Sequence, residues 1–315
     1  MKRQSGGLTP GMLLIIGSLV SLPLWAVRDG IGQQPVIRIS SNLVMVPVSV
    51  TDSAGKVVNN LQSSDFHIEE NGRSEEIAKM FEPGETPLEL ALIFDVSGSV
   101  NPRFDFEQEA ANHFLRQIMR PGDAVMILAL GPEPRLLQPR TYSLATALKT
   151  LETLEPTRGM TAFFDTIVLA AHLLRKSAGP ESRRVEVVLS DGEDNNSTNQ
   201  LGDTLRELQR ADCIFYSINP TGPAVIRLNQ MSEKGQENMV SLAGQTGGTA
   251  FLPSSEEEFT GIFSRIAAEL QAQYLLGYYS SNSATDGAFR RIVVAVPSRP
   301  DLRIRARQGY YAPKG

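Results

Sequence analysis

Residues 91–100 read ALIFDVSGSV: an apolar run ends in Asp95, and Ser97 and Ser99 follow at alternate positions. A carboxylate flanked by two hydroxyls at the end of a buried strand admits three chemistries. It can close a polar turn through side chain–backbone hydrogen bonds, carry a nucleophile, or hold a cation. Side chains at alternate positions of an extended segment point the same way, so Asp95, Ser97 and Ser99 can aim at one point while Val96 and Gly98 turn aside. Two further stretches share the character. RGMTAFFD, 158–165, opens a helical pattern at Thr161, and VEVVLSDGED, 185–194, ends a second apolar run at Asp191. Asp95, Ser97, Ser99, Thr161 and Asp191 all offer oxygen. Hard oxygen donors select Mg²⁺, Ca²⁺ or Mn²⁺ over zinc or copper. Two carboxylates with neutral hydroxyls leave such an ion electrophilic, with room for one more oxygen.

Catalytic readings find less support. The phosphatase pattern D-x-D-x-T needs a carboxylate where Ser97 stands. A nucleophile elbow G-x-S-x-G is absent, and so are a Walker loop and a Rossmann glycine fingerprint. The histidines are His67, His113 and His172, the last two inside helical patterns. DGEDNNS lacks the glycine and glutamate of an EF-hand loop. Asp165 reads as support for its helix N-terminus or loop, and Glu193 and Asp194 as solvated rim acids, with tuning of ion affinity as their alternative role. A third class stays open, a scaffold in which the same five residues hold a purely structural ion.

The elements that must position these residues follow from periodicity. Residues 36–52, VIRISSNLVMVPVSVTD, alternate so that Val44, Val46, Val48 and Val50 share one side, predicting a strand with one buried face. DSAGK is a turn, and DFHIEENG a strand ending in an Asn-Gly hairpin. From 88 the pattern changes. Continuous apolar strands at LELALIFDV, DAVMILAL, RVEVVLSD and CIFYSIN alternate with helical stretches near 104–118, 143–154, 163–176, 199–210 and 238–248. A short strand, TAFLP, and a last helix through Phe259, Ile262, Phe263, Ile266 and Leu270 complete the series. This is the signature of a doubly wound, mostly parallel α/β sheet, whose ligands bind beyond the carboxyl ends of its strands, where Asp95 and Asp191 fall. After 271 three strand-like runs return: QAQYLLGYYS, RRIVVAVPS and LRIRARQGYY. Neither β segment covers its own apolar face, so the expected architecture is a small β-sandwich built by both chain ends, with the α/β part inserted between them. The expected divisions are 1–34, a leader and linker; 35–85, an N-terminal β segment; 86–270, the α/β part; and 271–315, a C-terminal β segment pairing with 35–85.

Composition bounds the function. The 315 residues are 41% apolar, enough for a packed core, and the net charge of −5 is spread in both signs. That leaves no footprint for nucleic acid. Lys2 and Arg3 precede the apolar run MLLIIGSLVSLPLWA, 12–26, the pattern of an export signal. The run is short for a membrane span of about 20 residues. Ala26 suits a cleavage site, but Leu24 is large for its position, so an uncleaved anchor remains an alternative and the only expected membrane attachment. The single cysteine, Cys213, lies in an apolar run and reads as core. The expected location is periplasmic, cell-surface or secreted.

D-V-S-G-S after an apolar strand, a distal G-M-T-A-F-F-D and a later S-D-G-E-D together resemble the von Willebrand factor A fold and its metal-ion-dependent adhesion site. There D-x-S-x-S, a threonine and a second aspartate hold the ion, and Asp95, Ser97, Ser99, Thr161 and Asp191 match all five positions. The flanks NLVMVPVSVTDSAGKVVNNLQSSDFHIEENG and QYLLGYYS…GAFRRIVVAV…LRIRARQGYY are similar to those of exported bacterial proteins of the von Willebrand factor A–related, acidobacterial type. The resemblance implies a non-enzymatic, Mg²⁺-dependent protein-binding module (Ca²⁺ or Mn²⁺ being alternatives), in which an acidic side chain of a protein or peptide partner completes the coordination.

Overall fold

Alternating valines form the first described strand. The computed structural model describes residues 43–96, 104–157, 159–179, 181–226 and 229–315; the leader, the linker and the segment 97–103 with Ser97 and Ser99 lie outside the described residues. Strand β1 (Leu43–Thr51) buries Val44, Val46, Val48 and Val50. A turn follows in which Asp52 Oδ1 accepts from the N–H groups of Ala54 and Lys56, both at 2.9 Å. Strands β2 (His67–Glu70) and β3 (Arg73–Glu75) form a hairpin through Asn71 and Gly72, whose φ angles of 51° and 79° are the positive pair a type I′ turn requires. Strand β4 (Ile77–Phe81) leads to the α/β part.

That part runs β5 (Leu88–Asp95), α1 (Phe104–Ile118), β6 (Ala124–Leu130), β7 (Arg135–Thr141), α2 (Leu144–Glu152), α3 (Phe163–Ser177), β8 (Arg183–Leu189), α4 (Leu201–Arg210), β9 (Cys213–Ile218), α5 (Pro223–Ile226), α6 (Gln230–Thr246), β10 (Ala250–Phe251) and α7 (Glu256–Gln271). The strands form one six-stranded sheet in the order β10-β9-β8-β5-β6-β7, parallel except for β7. Both faces are covered, which is why these strands read as unbroken apolar runs. Leu88, Leu90, Leu92 and Phe94 of β5 pack with α1, α2 and α7; Ala91 and Ile93 pack with α3, α4 and α6.

The last strands are β11 (Tyr274–Tyr279), β12 (Phe289–Ala295), β13 (Arg303–Ala306) and β14 (Gly309–Tyr311). They join the first four in two antiparallel sheets, β13-β1-β11-β4 and β14-β12-β2-β3. Val44, Val46, Val48, Val50, Tyr274, Leu276 and Tyr278 of one sheet meet Ile68 and Ile292 of the other in a shared core. The sandwich is thus built by both chain ends, as the uncovered apolar faces require. One reading is corrected here: LRIRARQGYY is not one strand but two, β13 in the first sheet and β14 in the second. The switch occurs at Arg307–Gln308, where Gln308 N–H donates to Gln245 O at 3.1 Å instead of continuing a ladder.

Sandwich and α/β part are fastened by charged groups. Arg307, buried, donates to Asp212 and to the Met45 carbonyl, the latter at 2.6 Å. Arg305 pairs with Glu269, which also accepts from Tyr216 O–H at 2.5 Å. At the start of β8, Arg183 is 4% exposed and donates to Leu270 O, where the chain leaves the α/β part, and to Thr86 O at 3.2 Å, where it arrives. Ser41–Gly315 form one compact unit. Among the described residues no helix is long and apolar enough to cross a membrane.

Candidate functional site at the carboxyl edge of the sheet

From β5 the chain winds outward through β6 and β7, then returns to the other side of β5 and continues through β8, β9 and β10. The reversal places the crevice of a doubly wound sheet beyond the ends of β5 and β8. Asp95 closes β5 there. The register Phe94↔Leu189 sets Ser190 across from Asp95, and the Ser190 hydroxyl donates to Asp95 Oδ2 at 2.6 Å while accepting from Gly192 N–H at 3.0 Å. Asp191 comes next. Burial pushes its carboxyl above the ordinary range, the Glu193 N–H at 3.0 Å from Oδ1 opposes this, and the nearby Glu193 charge adds to it.

Thr161, 6% exposed, stands before α3. Its N–H donates to Asn195 Oδ1 at 2.8 Å, and its carbonyl accepts from the N–H groups of Asn195 and Asn196, both at 3.1 Å. The loop after β6 joins them: Val96 N–H donates to Leu130 O at 3.0 Å, Ala162 N–H to Gly131 O at 2.8 Å, and Asn196 Nδ2 to Pro132 O at 2.6 Å. The loops bearing Asp95, Thr161 and Asp191 are therefore stitched directly to one another at one edge. Ser97 and Ser99 fall within 97–103, outside the described residues.

Asp165 supports the loop, as its position predicts. Its carboxylate accepts from the N–H groups of Thr198 at 3.0 Å and Asn199 at 2.8 Å, and from Asn199 Nδ2 at 2.7 Å. Burial tends to raise this carboxyl, but the donors outweigh it and hold it below the ordinary range. Glu193 and Asp194 depart from the sequence reading, because both have structural duties. Asp194 Oδ1 takes Phe163 N–H at 2.9 Å and Ser197 O–H at 2.6 Å at the start of α3. Glu193 Oε1 takes Ser232 O–H at 2.5 Å and Asn229 Nδ2 at 2.9 Å from the first turn of α6.

Helix α6 touches the Asp191 loop with no clearance. Gly192 has φ +78°, and a Cβ built on Gly235 would stand 2.6 Å from the Gly192 carbonyl carbon and 2.8 Å from the Asp191 carbonyl oxygen. Alanine normally gains about 1 kcal/mol over glycine inside a helix. Here the facing atoms are backbone and cannot rotate away, so overpacking of about 1–3 kcal/mol wins. The expected result for Gly235→Ala is a lower urea midpoint than wild type; an unchanged or higher midpoint would show that the loop yields freely.

The donor chemistry fits a hard divalent cation, with two carboxylates and neutral hydroxyls carried on neighbouring loops. Among the described residues no group of three His, Cys, Asp or Glu side chains is placed to hold a metal. Residues 90–193 match the family model for the von Willebrand factor type A domain. The chain carries a domain of von Willebrand factor A type. Solved structures similar to it include the conserved hypothetical protein BatB from Bacteroides thetaiotaomicron, 17% identical over 57% of this chain and 97% of that one, with a TM-score of 0.44. Others are a von Willebrand factor type A structure from Catenulispora acidiphila (14% identity, 73% and 50% coverage, TM-score 0.49) and the PilB minor pilin from Streptococcus sanguinis (15%, 60% and 62%, TM-score 0.47). No curated protein matches the chain.

Three contributors to the candidate site region escape sequence reading. Ser190 carries a signal, a hydroxyl immediately before the aspartate that ends an apolar run. Asn195 and Gly235 carry none, since their roles come from loops and a helix that only the fold brings together.

Proposed function

We propose that this protein is an exported, divalent-cation-dependent protein-binding module. Asp95, Ser97, Ser99, Thr161 and Asp191 hold the ion, Mg²⁺ foremost and Ca²⁺ or Mn²⁺ otherwise, directly or through water. A carboxylate of a protein or peptide partner takes the remaining position. The observation that carries the reading is the stitching of the Asp95, Thr161 and Asp191 loops at the point where the sheet's winding reverses. The ion would supply a fixed positive charge; the chain's part is to hold oxygen donors in place around it. The charged leader ahead of an apolar run supports export.

Binding fits the surroundings better than turnover. His172 is engaged with Glu207 at 2.8 Å on the flank of α3, and His67 with Glu69 at 3.1 Å in the sandwich, so neither serves the carboxyl-edge loops as a general base. A purely structural ion is the competing reading, and chelator sensitivity of partner capture separates the two.

Calorimetric titration of the full chain with Mg²⁺, Ca²⁺ and Mn²⁺ tests the site. Asp95→Ala is expected to weaken binding by about 100-fold or more, exceeding the roughly 10–100-fold cost of losing a supporting residue. Binding that persists unchanged in Asp95→Ala places the ion elsewhere. For adhesion, capture of a partner by wild type must vanish both with chelator and in the variant.

A further inference from the structure

We infer that a cleft between the α/β part and the sandwich binds a small soluble phosphate monoester, whose phosphate is held by Arg175 and Lys314. The cleft is independent of the proposed metal site. Helix α3 begins at the carboxyl edge, and Arg175 lies in its last turn, roughly 18 Å further along.

The cleft measures about 430 Å³ and runs between the last turns of α3 and α4 on one side and residues 286–287 and 311–314 on the other. Its acids are already spent. Glu207 Oε1 accepts from Arg210 Nη1 at 2.7 Å, and its Oε2 lies 2.8 Å from His172 Nε2. Asp286 Oδ1 accepts from Arg290 Nη2 and from Ala288 N–H, both at 2.9 Å. Arg210 is neutralised by Glu207 and lies over the Tyr311 ring, 5.5 Å from its centroid. Arg175 and Lys314 remain. Both are exposed, and among the described residues neither side chain has an ion pair or a hydrogen bond. The lining therefore carries two uncompensated positive charges, in a chain whose net charge is −5.

Lys314 is seated by the backbone around it. Asp286 and Lys314 form an antiparallel bridge, and Gly287 N–H donates to Pro313 O at 3.1 Å. The Lys314 stem runs beside Gly287, where a built Cβ would stand 3.5 Å from Lys314 Cγ and 3.7 Å from its Cδ. A cation in the last turn of a helix complements the helix dipole, which accounts for Arg175 and for its neighbour Lys176. It does not account for Lys314, which belongs to no helix, and Lys176 does not line the cleft. A phosphate monoester concentrates a charge of about −1.5 to −2 in one group near neutral pH, which answers both free cations at once; a single carboxylate answers one. The guanidinium can donate to two phosphate oxygens in parallel, and the ammonium acts as a point charge on the group. The volume lies within the range of small-molecule sites and leaves room beside the phosphate for a short organic body.

The test is calorimetric titration of the full chain with glycerol phosphate and, separately, inorganic phosphate. A chelator in the buffer keeps the proposed metal site out of the readout. Wild type is expected to bind glycerol phosphate. Arg175→Ala and Lys314→Ala should each weaken that binding about 10-fold or more, the effect of losing a hydrogen bond to a charged group. Both side chains are exposed and unpaired, so both variants should keep the wild-type urea midpoint. Lys176→Ala removes the same charge one residue away, outside the cleft, and should leave the affinity unchanged. No heat from either phosphate overturns the inference. So does an equal loss in all three variants, which would show only general attraction to a basic surface. Vesicles of phosphatidic acid in phosphatidylcholine form the last arm: sedimentation with them, without heat from glycerol phosphate, would assign the two cations to a lipid headgroup and overturn the soluble ligand.

Discussion

Ending the chain after Gln271 is expected to unfold the first four strands while deleting none of their residues. In the sheet β13-β1-β11-β4, β11 lies between β1 and β4. Without it β1 loses partners along Leu43–Val48 and β4 along Ile77–Phe81, and the removal of β13 strips the remainder of β1. The β2–β3 hairpin survives only as two strands, which are marginal alone in water. Val44, Val46, Val48 and Val50 lose their cover together, each forfeiting about 1.5–3 kcal/mol of burial. Limited trypsinolysis reads the outcome at Lys56, Arg73 and Lys79: cleavage there should be rapid in the truncated protein and slow in the full chain. Protection of 43–81 at the full-chain level after truncation would mean that the N-terminal strands pack on the α/β part independently of the C-terminal ones.

The second large effect is expected at Glu70, whose 3% exposure makes it a buried carboxylate at the centre of the sandwich. Its Oε2 accepts from Tyr278 O–H at 2.8 Å and Tyr310 O–H at 3.0 Å, and its Oε1 from Ser280 O–H at 2.8 Å. Arg290, itself buried, stands with Nε 3.9 Å from Oε1. These partners come from β11, β12, β14 and the turn after β11, so one side chain ties both sheets. Burial, then the adjoining carboxylate, raises the Tyr278 phenol far above its ordinary range; burial first pushes Tyr310 up to about 12. Both remain donors at any working pH. Glu70→Ala strands three hydroxyls and leaves Arg290 with Asp286 as its remaining ionic partner, at 2.9 Å. Removing one member of such a buried group costs about 3–5 kcal/mol. Glu70→Gln keeps an acceptor oxygen and should lose less. Urea denaturation of both variants checks the order; equal, small losses would show that water replaces the carboxylate without difficulty.

Sequence periodicity goes far where one force dominates. The four valines of β1 and the unbroken runs of β5, β6, β8 and β9 are each dictated by burial on one face or on two, and the structure follows them. So does Asn71-Gly72, where backbone sterics leave few alternatives. Legibility fails where tertiary partners decide. RLLQPRT shows neither alternation nor a continuous run and contains Pro139, yet it is strand β7, held by pairing with β6 and by the Arg140–Glu89 ion pair with contacts of 2.5 and 2.8 Å. The single run ending in QGYY is divided between two sheets because Gln308 bonds to α6. At the site, oxygen-donor types and strand-end positions are legible locally, whereas the duties of Glu193 and Asp194 are not, because their partners lie elsewhere in the sequence, Ser232 and Phe163. The contact of Ser190 with Asp95 depends on a strand register that no local pattern shows.

The bond pattern of Arg183 has one more consequence. The Thr86 and Leu270 carbonyls are both held by a single guanidinium, so the intervening stretch begins and ends in nearly the same place. Proteins of this layout lend themselves to transplantation: the stretch can be lifted out and closed on itself, or a foreign one seated in the gap, without stretching what remains. The bracket that would need to travel with it is Arg183, which sits inside the cargo while gripping both of its handles.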